Sequence, residues 1–308
     1  MPARSFLSID PRDLFSNVRT TSRLGAILQF PLVRAVVAVL FLLPVLAINT
    51  VVVLYVIEQF EEPMATHIDF IRMIITIPLL FFAYSLYCRL VERRKAFEIK
   101  WRGGGRQWLV GALVSAGLVT TCVAVISVLG SFEIVEYRSA SVLVHNALVF
   151  GMGALLQEMV LLLILFRLTE ELAGTWVALL LSLLVFGFVH IFNPNQTLGS
   201  VIFLVLSSLI LVAPFILTRQ IWLSWGFHAG WNFTQAGVFG MANSGVVFPG
   251  WMISKVTGPD WLTGGEIGIE GSYVALTVDL AIGILILIAA FRYGRFLKPG
   301  WKRNRIHS

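Results

Sequence analysis

Eight stretches of this chain, at about 32–57, 71–90, 108–130, 142–166, 175–193, 198–217, 220–240 and 272–293, are almost wholly apolar and nearly free of charge. Each is long enough to cross a hydrocarbon core of roughly 30 Å at about 1.5 Å per helical residue. The expected fold is therefore all-α: a polytopic transmembrane helix bundle of about eight spans. Composition agrees, with 57% hydrophobic and 13% charged residues, where a soluble domain carries about 25% charge. The length of 308 residues fits one membrane domain better than two soluble ones. Pro44, Pro78 and Pro214 fall inside spans and predict kinks.

Lys and Arg are distributed unevenly along this pattern. Of the 23 basic residues, all except Arg72, Arg138 and Lys255 lie in the amino-terminal segment, the even-numbered connections or the tail. In an eight-span chain those regions share one side. The other side carries Glu58, Glu61, Glu62, Asp69, Glu133, Glu136, Asp260, Glu266 and Glu270. The positive-inside rule then predicts that both termini are cytoplasmic. The same partition accounts for the net charge of +6 as a topology signal, and no nucleic-acid partner is expected.

Three regions follow. Residues 1–30 form a cytoplasmic segment that is either an amphipathic surface helix, through Phe6, Leu7, Ile9, Leu14, Phe15 and Val18, or a disordered tail. Residues 31–295 form the transmembrane domain, and 296–308 a basic cytoplasmic tail. No cleavable signal peptide is expected, since the first apolar run begins near Pro31 and is too long for one. Gly103-Gly104-Gly105 reads as a flexible linker in a basic loop. Cys88 and Cys122 lack CxxC spacing and read as small apolar fillers. The longest connection, about 241–271, is rich in Gly and Trp and is placed to cover an outward-facing cavity.

Polar clusters interrupt the apolar runs at Gln157-Glu158, Phe186-x-x-x-His190 and His228-x-x-x-Asn232. Ionisable groups inside a bilayer are costly and mark function. Spacing of i, i+4 puts both members of a pair on one helix face. His228 and Asn232 can thus donate hydrogen bonds to the oxyanion of a tetrahedral intermediate. Glu158 near a second imidazole, His190, can hold and deprotonate a water. The same Glu158, His190 and His228 could instead ligate a divalent metal such as zinc. Asp279 reads as a structural hydrogen-bonding group, His145-Asn146 as interfacial, and His67 and His307 as solvated. Trp222, Trp225 and Trp231 flank the third cluster, and some of them are candidates to line its cavity. No inverted repeat or pair of broken helices points to a transporter.

The stretch from about 142 to 271 resembles the CAAX-protease and bacteriocin-processing (CPBP) family of intramembrane endopeptidases, the type II CAAX prenyl protease-like family. That family carries Glu-Glu-x-x-x-Arg, Phe-x-x-x-His and His-x-x-x-Asn/Asp motifs on successive transmembrane helices. Phe186–His190 matches the second motif and His228–Asn232 the third. Phe166–Glu171, Gly174-Thr175-Trp176, the Asn193-Pro194-Asn195 turn and Leu262–Gly265 with Glu270-Gly271 add to the similarity. The first motif departs from the family: Gln157 occupies the position of the water-activating Glu, and Leu162 that of the Arg. A carboxamide orients a water but accepts no proton. Arg167 lies nine residues from Glu158, about 13 Å along a helix, and cannot stand in locally.

The resemblance implies a multi-pass protease of the bacterial plasma membrane. It would hydrolyse a peptide bond in a membrane-associated protein or peptide by activated-water attack. Glu158 or Gln157 would act with His190 on the water, and His228 with Asn232 on the oxyanion. A second reading stays open, in which the altered first motif leaves a catalytically impaired membrane interaction, immunity or chaperone protein.

Overall fold

The computed structural model describes residues 9–18, 20–59 and 64–303 and is 74% helical. Seven helices among the described residues are long and apolar enough to cross a membrane. Six come first along the chain: α1 (Pro31–Gln59), α2 (Met64–Leu90), α3 (Gly104–Val128), α4 (Ser141–Ala173), α5 (Thr175–Phe192) and α6 (Leu198–Thr218). Next is α7 (Trp222–Asn232), an 11-residue helix extended by a 6-residue π-helical stretch, Phe233–Val238. The last long helix is α8 (Tyr273–Arg292). The protein is an integral, multi-pass membrane protein.

The run expected at 220–240 thus forms a helix, but one shorter than the other seven. Its residues from Ser224 to Trp231 are all buried. A helix that is buried all round belongs inside a bundle, and α7 is such a helix, packed on α3, α4 and α6. Pro44, Pro78 and Pro214 lie within helices, and Cys88 and Cys122 are buried free thiols, all as expected.

The all-α expectation needs one correction. Residues Phe132–Tyr137 (β1) and Met252–Val256 (β2) pair as a two-stranded antiparallel ribbon between the α3–α4 and α7–α8 connections. Its register sets Glu133 opposite Lys255, an opposite-charge cross-strand pair. The triple glycine also departs from the linker reading. Gly103, at φ +84°, begins α3, and a Cβ on Gly104 would come within 2.6 Å of the Trp222 ring. That segment is a helix start, and Gly104 serves close contact with α7.

Phe6 and Leu7 lie outside the described residues, and the described part, 9–18 and 20–30, is not one amphipathic helix. It makes a single 3₁₀ turn, Pro11–Leu14, and a short helix, Arg23–Leu28. Leu14 is fully buried and its carbonyl accepts from Arg167 Nη1 at 2.9 Å. The segment is held to the bundle by that polar contact and by Ile9 and Leu14, which are buried in the apolar core.

Glu92 is the centre of that polar region. Its carboxylate accepts from Arg34 Nη1 (2.8 Å), Arg94 Nε (2.7 Å), Arg167 Nη1 (2.9 Å) and Tyr87 Oη (2.9 Å). Arg94 also reaches Glu98 through Nη1 (2.9 Å) and Nη2 (2.7 Å), and Arg34 reaches Glu171 at 2.6 Å. Nearby, Glu170 takes both Nη atoms of Arg219 (2.5 and 3.0 Å) and the Thr175 hydroxyl (2.5 Å). Leu297 exchanges hydrogen bonds with Thr175, so the start of the basic tail is docked on the α4–α5 junction. The basic clusters of the amino-terminal segment, the even-numbered connections and the tail therefore gather at one end of the bundle, as their partition predicted.

Several of these arginines are structural as well as topological. Burial pushes the Glu92 carboxyl up, but Arg167, Arg94 and Arg34 outweigh it and hold the group at about 2. Removing one partner from a buried ion pair costs about 3–5 kcal/mol, because the remaining charge is stranded. Glu92→Ala should lower detergent-phase unfolding stability by about that amount. A carboxyl depressed in the folded state stabilises above the ordinary carboxylate range and loses that contribution as pH falls toward its folded value. The wild-type advantage should thus be undiminished near pH 6 and shrink only in strong acid, as read from denaturation midpoints across pH.

Candidate active site

The third motif is positioned by glycines. On α7, Gly226 and Gly230 lie one turn apart and face α3. A Cβ on Gly226 would meet Trp108 O at 2.0 Å, and one on Gly230 would meet Ala112 O at 2.6 Å. On α3, Gly111 answers, with Leu223 O at 2.4 Å from its would-be Cβ. Small residues at a helix crossing let the backbones approach in lipid, where packing drives association. Successive residues turn by about 100°, so His228 and Asn232 project from the face of α7 opposite the glycines. The seam on α3 therefore aims the motif toward α4, α5 and α6.

From α4, Glu158 meets it. Glu158 is 0% exposed, and its Oε1 lies 2.7 Å from Nδ1 of His228, itself 5% exposed. About two turns earlier, Gly151 O accepts the Trp225 indole N–H at 2.7 Å, which fixes α4 against α7 along the same face. Immediately after Glu158 the helix widens into a π-helical stretch, Met159–Phe166. A second π-helical stretch follows Asn232. Such widened turns recur at functional sites. Leu162, at the family's Arg position, is fully buried among apolar residues, and Arg167 is engaged by Glu92. Neither supplies a cation to Glu158.

His190, at the end of α5, sets its Nδ1 2.6 Å from Phe186 O. The Phe186 ring stands between the imidazoles, 4.7 Å from the His190 centroid and 5.8 Å from that of His228. Both rings thus have Nδ1 facing an acceptor. In the neutral state that tautomer keeps the proton on Nδ1 and leaves the lone pair on Nε2. A cavity of about 200 Å³ is lined by Gln157, His190, His228, Asn232 and Trp231, with Asn193, Asn243, Ser244, Glu270 and Asp279 on its other walls. Gln157 faces this cavity, whereas Glu158 lies behind His228 and is not on its wall. The helix carries Gln157 and Glu158 in directions about 100° apart, and the structure gives them different neighbours.

The α7–α8 connection supplies residues that the motif reading did not select. Asn243 Nδ2 donates to Asn232 Oδ1 at 3.0 Å, which leaves the Asn232 amide hydrogens free to donate. Gln235 accepts from Trp231 Nε1 at 2.8 Å and donates to Glu270. Glu270 also accepts from the Ser244 hydroxyl at 2.9 Å and from the Ser244 backbone N–H. Ser244 sits at φ +47°, a left-handed conformation that a non-glycine residue adopts at a cost. Asn193, in the expected turn, donates to Ser244 O at 3.0 Å. Asn146, expected to be interfacial, is buried and donates to Pro249 O at 2.9 Å. The connection therefore covers the cavity, as its length suggested. Its latch residues lie as many as 35 positions apart, so no local spacing reveals them.

Among the described residues no group of three or more His, Cys, Asp or Glu side chains is arranged to hold a metal ion. Glu158 Oε1 faces His228 Nδ1 and His190 Nδ1 faces the Phe186 carbonyl, contacts that leave the Nε2 atom of each imidazole for another partner.

The helix bundle thus brings the Glu158–His228 pair, His190 and the carboxamides of Gln157 and Asn232 together in its interior. Residues 139–234 match the family model described as type II CAAX prenyl endopeptidase Rce1-like, a family of proteases. That segment, from the start of α4 to the π-helical turn after Asn232, is Rce1-like, in accord with the resemblance that its motifs carry. No curated protein matches the chain, and no solved structure does. The match ends before Gln235, so the latch on Glu270 lies outside it.

Burial pushes the Glu270 carboxyl above its ordinary range, against the lowering effect of its Gln235 and Ser244 donors. A group raised in the folded state stabilises below its unfolded value and loses that contribution as pH rises through the folded one. Proteolytic nicking within 241–271 should therefore increase from acid toward neutral pH, and Glu270→Gln should flatten that dependence. Glu270→Leu, which strands the Gln235 and Ser244 donors at about 1–3 kcal/mol, should increase nicking at every pH.

Proposed function

We propose that this chain is an intramembrane endopeptidase that cleaves a membrane-associated protein or peptide by water attack, with His228 as the base and Glu158 as its positioning partner. The 2.7 Å contact between Glu158 Oε1 and His228 Nδ1 carries the reading. It puts an acceptor on one imidazole nitrogen and leaves the other for the cavity. This answers the loss of the family's first Glu: the cavity wall holds Gln157, and the base is an imidazole backed by the next residue's carboxylate.

The sequence of steps follows from those positions. Gln157 orients a water through its amide. As the water oxygen bonds to the scissile carbonyl carbon, its proton passes to His228 Nε2, and Glu158 stabilises the imidazolium that forms. The carbonyl oxygen becomes an oxyanion, and the free amide hydrogens of Asn232 donate to it. Collapse of the intermediate breaks the C–N bond, and the His228 proton goes to the departing amine. His190, with its own Nε2 lone pair, holds the water or the leaving nitrogen from the α5 side. Burial of the cavity in the bundle excludes bulk water, which strengthens each of these interactions. The partition of basic residues supports cytoplasmic termini, and the resemblance supports a bacterial plasma membrane.

One observation favours the second reading, a scaffold that binds without cleaving: a carboxamide occupies the cavity wall at Gln157, with buried Leu162 one turn on. Mass-spectrometric detection of cleavage in a peptide and membrane-protein panel, by purified full-length protein, separates the two. Wild type should cleave, and His228→Ala should lose at least ~100-fold in kcat/KM. Asn232→Ala should lose about 100- to 1,000-fold, chiefly in kcat. An inert wild type beside an active Gln157→Glu would establish the non-catalytic reading instead.

A further inference from the structure

The cavity beside the two imidazoles ends in a wall that the hydrolytic steps leave unused. Asp279 lies on α8 within an apolar span and is 3% exposed, and its Oδ1 has no hydrogen-bond partner. One turn further on, a Cβ on Gly283 would meet Leu209 Cγ at 2.9 Å and Ile210 N at 3.2 Å. Asp279 and Gly283 share a face of α8, and that face abuts α6 where Ser207 and Ser208 enter the same cavity. Both hydroxyls already donate, Ser207 to Leu204 O at 3.4 Å and Ser208 to Val205 O at 2.8 Å. They offer only acceptor lone pairs to an occupant. Neither Lys nor Arg is among the cavity's lining residues, and the other carboxyl there, Glu270, is occupied by Gln235 and Ser244. This end of the cavity is therefore rich in acceptors and is lined by no Lys or Arg. An ionised carboxylate left in that state is costly, and a cation within hydrogen-bonding distance is the partner that would hold it ionised.

We infer that the Asp279 end is a subsite for a cationic side chain of the substrate, a lysine ammonium or an arginine guanidinium. The inference rests on reading the cavity as the substrate site. Leu204, Ile210 and Leu211 line it with apolar surface, which suits the aliphatic stem of such a side chain. The volume of about 200 Å³ holds one side chain, not a folded segment. A carboxylate in the same place meets Asp279 as a like charge and no cation, so an acidic group is selected against.

Binding tests the subsite without requiring turnover. Full-length protein in detergent micelles is titrated with n-butylguanidinium and with n-butanol, and the unfolding midpoint and the tryptophan fluorescence are followed. Butylguanidinium should bind and stabilise where butanol does not, and Asp279→Asn should weaken its affinity at least tenfold. Ser208→Leu, which brings an apolar side chain into the acceptor end, should do the same if Asp279→Asn does not fold. Equal responses to the two ligands, no response to either, or unchanged affinity in both variants would overturn the inference. Cleavage measured in parallel keeps the two readings apart. Binding without any peptide cleavage leaves the subsite standing and removes the hydrolytic reading; cleavage that butylguanidinium neither inhibits nor binds against removes the subsite alone.

Discussion

Glu92 joins four parts of the chain at one carboxylate. Its carboxylate takes Arg34 from α1, Tyr87 from α2, Arg94 from the α2–α3 connection and Arg167 from α4. Between helices in lipid there is little hydrophobic driving force, since the tails are as apolar as leucine. Directional contacts then do the work of fixing depth and rotation. Arg167 is on the same helix as Glu158, separated from it by the π-helical stretch. The depth of Glu158 in the bundle is thus set from the polar end by Glu92 and along the shaft by the Trp225–Gly151 hydrogen bond.

Two devices convert that frame into a site. The glycine seam between α3 and α7 lets the backbones touch and turns His228 and Asn232 away from it. The helical turn that separates neighbours by about 100° then divides Gln157 from Glu158. One lines the cavity, and the other is buried behind His228. In the proposed mechanism, a substitution that looks like the loss of a catalytic carboxylate is a change in which group faces the water.

Much of this was legible from residues alone. Uninterrupted apolar runs announce spans, and the partition of Lys and Arg announces that the even-numbered connections share an end with the termini. The i, i+4 pairs announce that His228 and Asn232 share a face. What stayed hidden depends on partners far along the chain. Periodicity cannot say that α7 is wrapped by protein, because Trp, Phe and Ala suit a core as well as a bilayer. The ribbon at Phe132–Tyr137 is six residues between long helices, and its strand partner lies more than a hundred positions away. Arg34, Arg94, Arg167 and Arg219 count as topology markers in sequence, and only their carboxylate partners reveal them as buried structure. Asp279 looked like a satisfied polar group and proved to have an oxygen without a partner.

The central claim is that Glu158 acts through His228 and not on the water directly. Nitrogen-15 spectra of histidine-labelled protein in nanodiscs test it most directly, because the two ring nitrogens report the tautomer. The account predicts that neutral His228 carries its proton on Nδ1, with Nε2 unprotonated, and that Glu158→Ala abolishes this preference. A His228 protonated on Nε2 in the wild type, or a tautomer indifferent to Glu158→Ala, would contradict it.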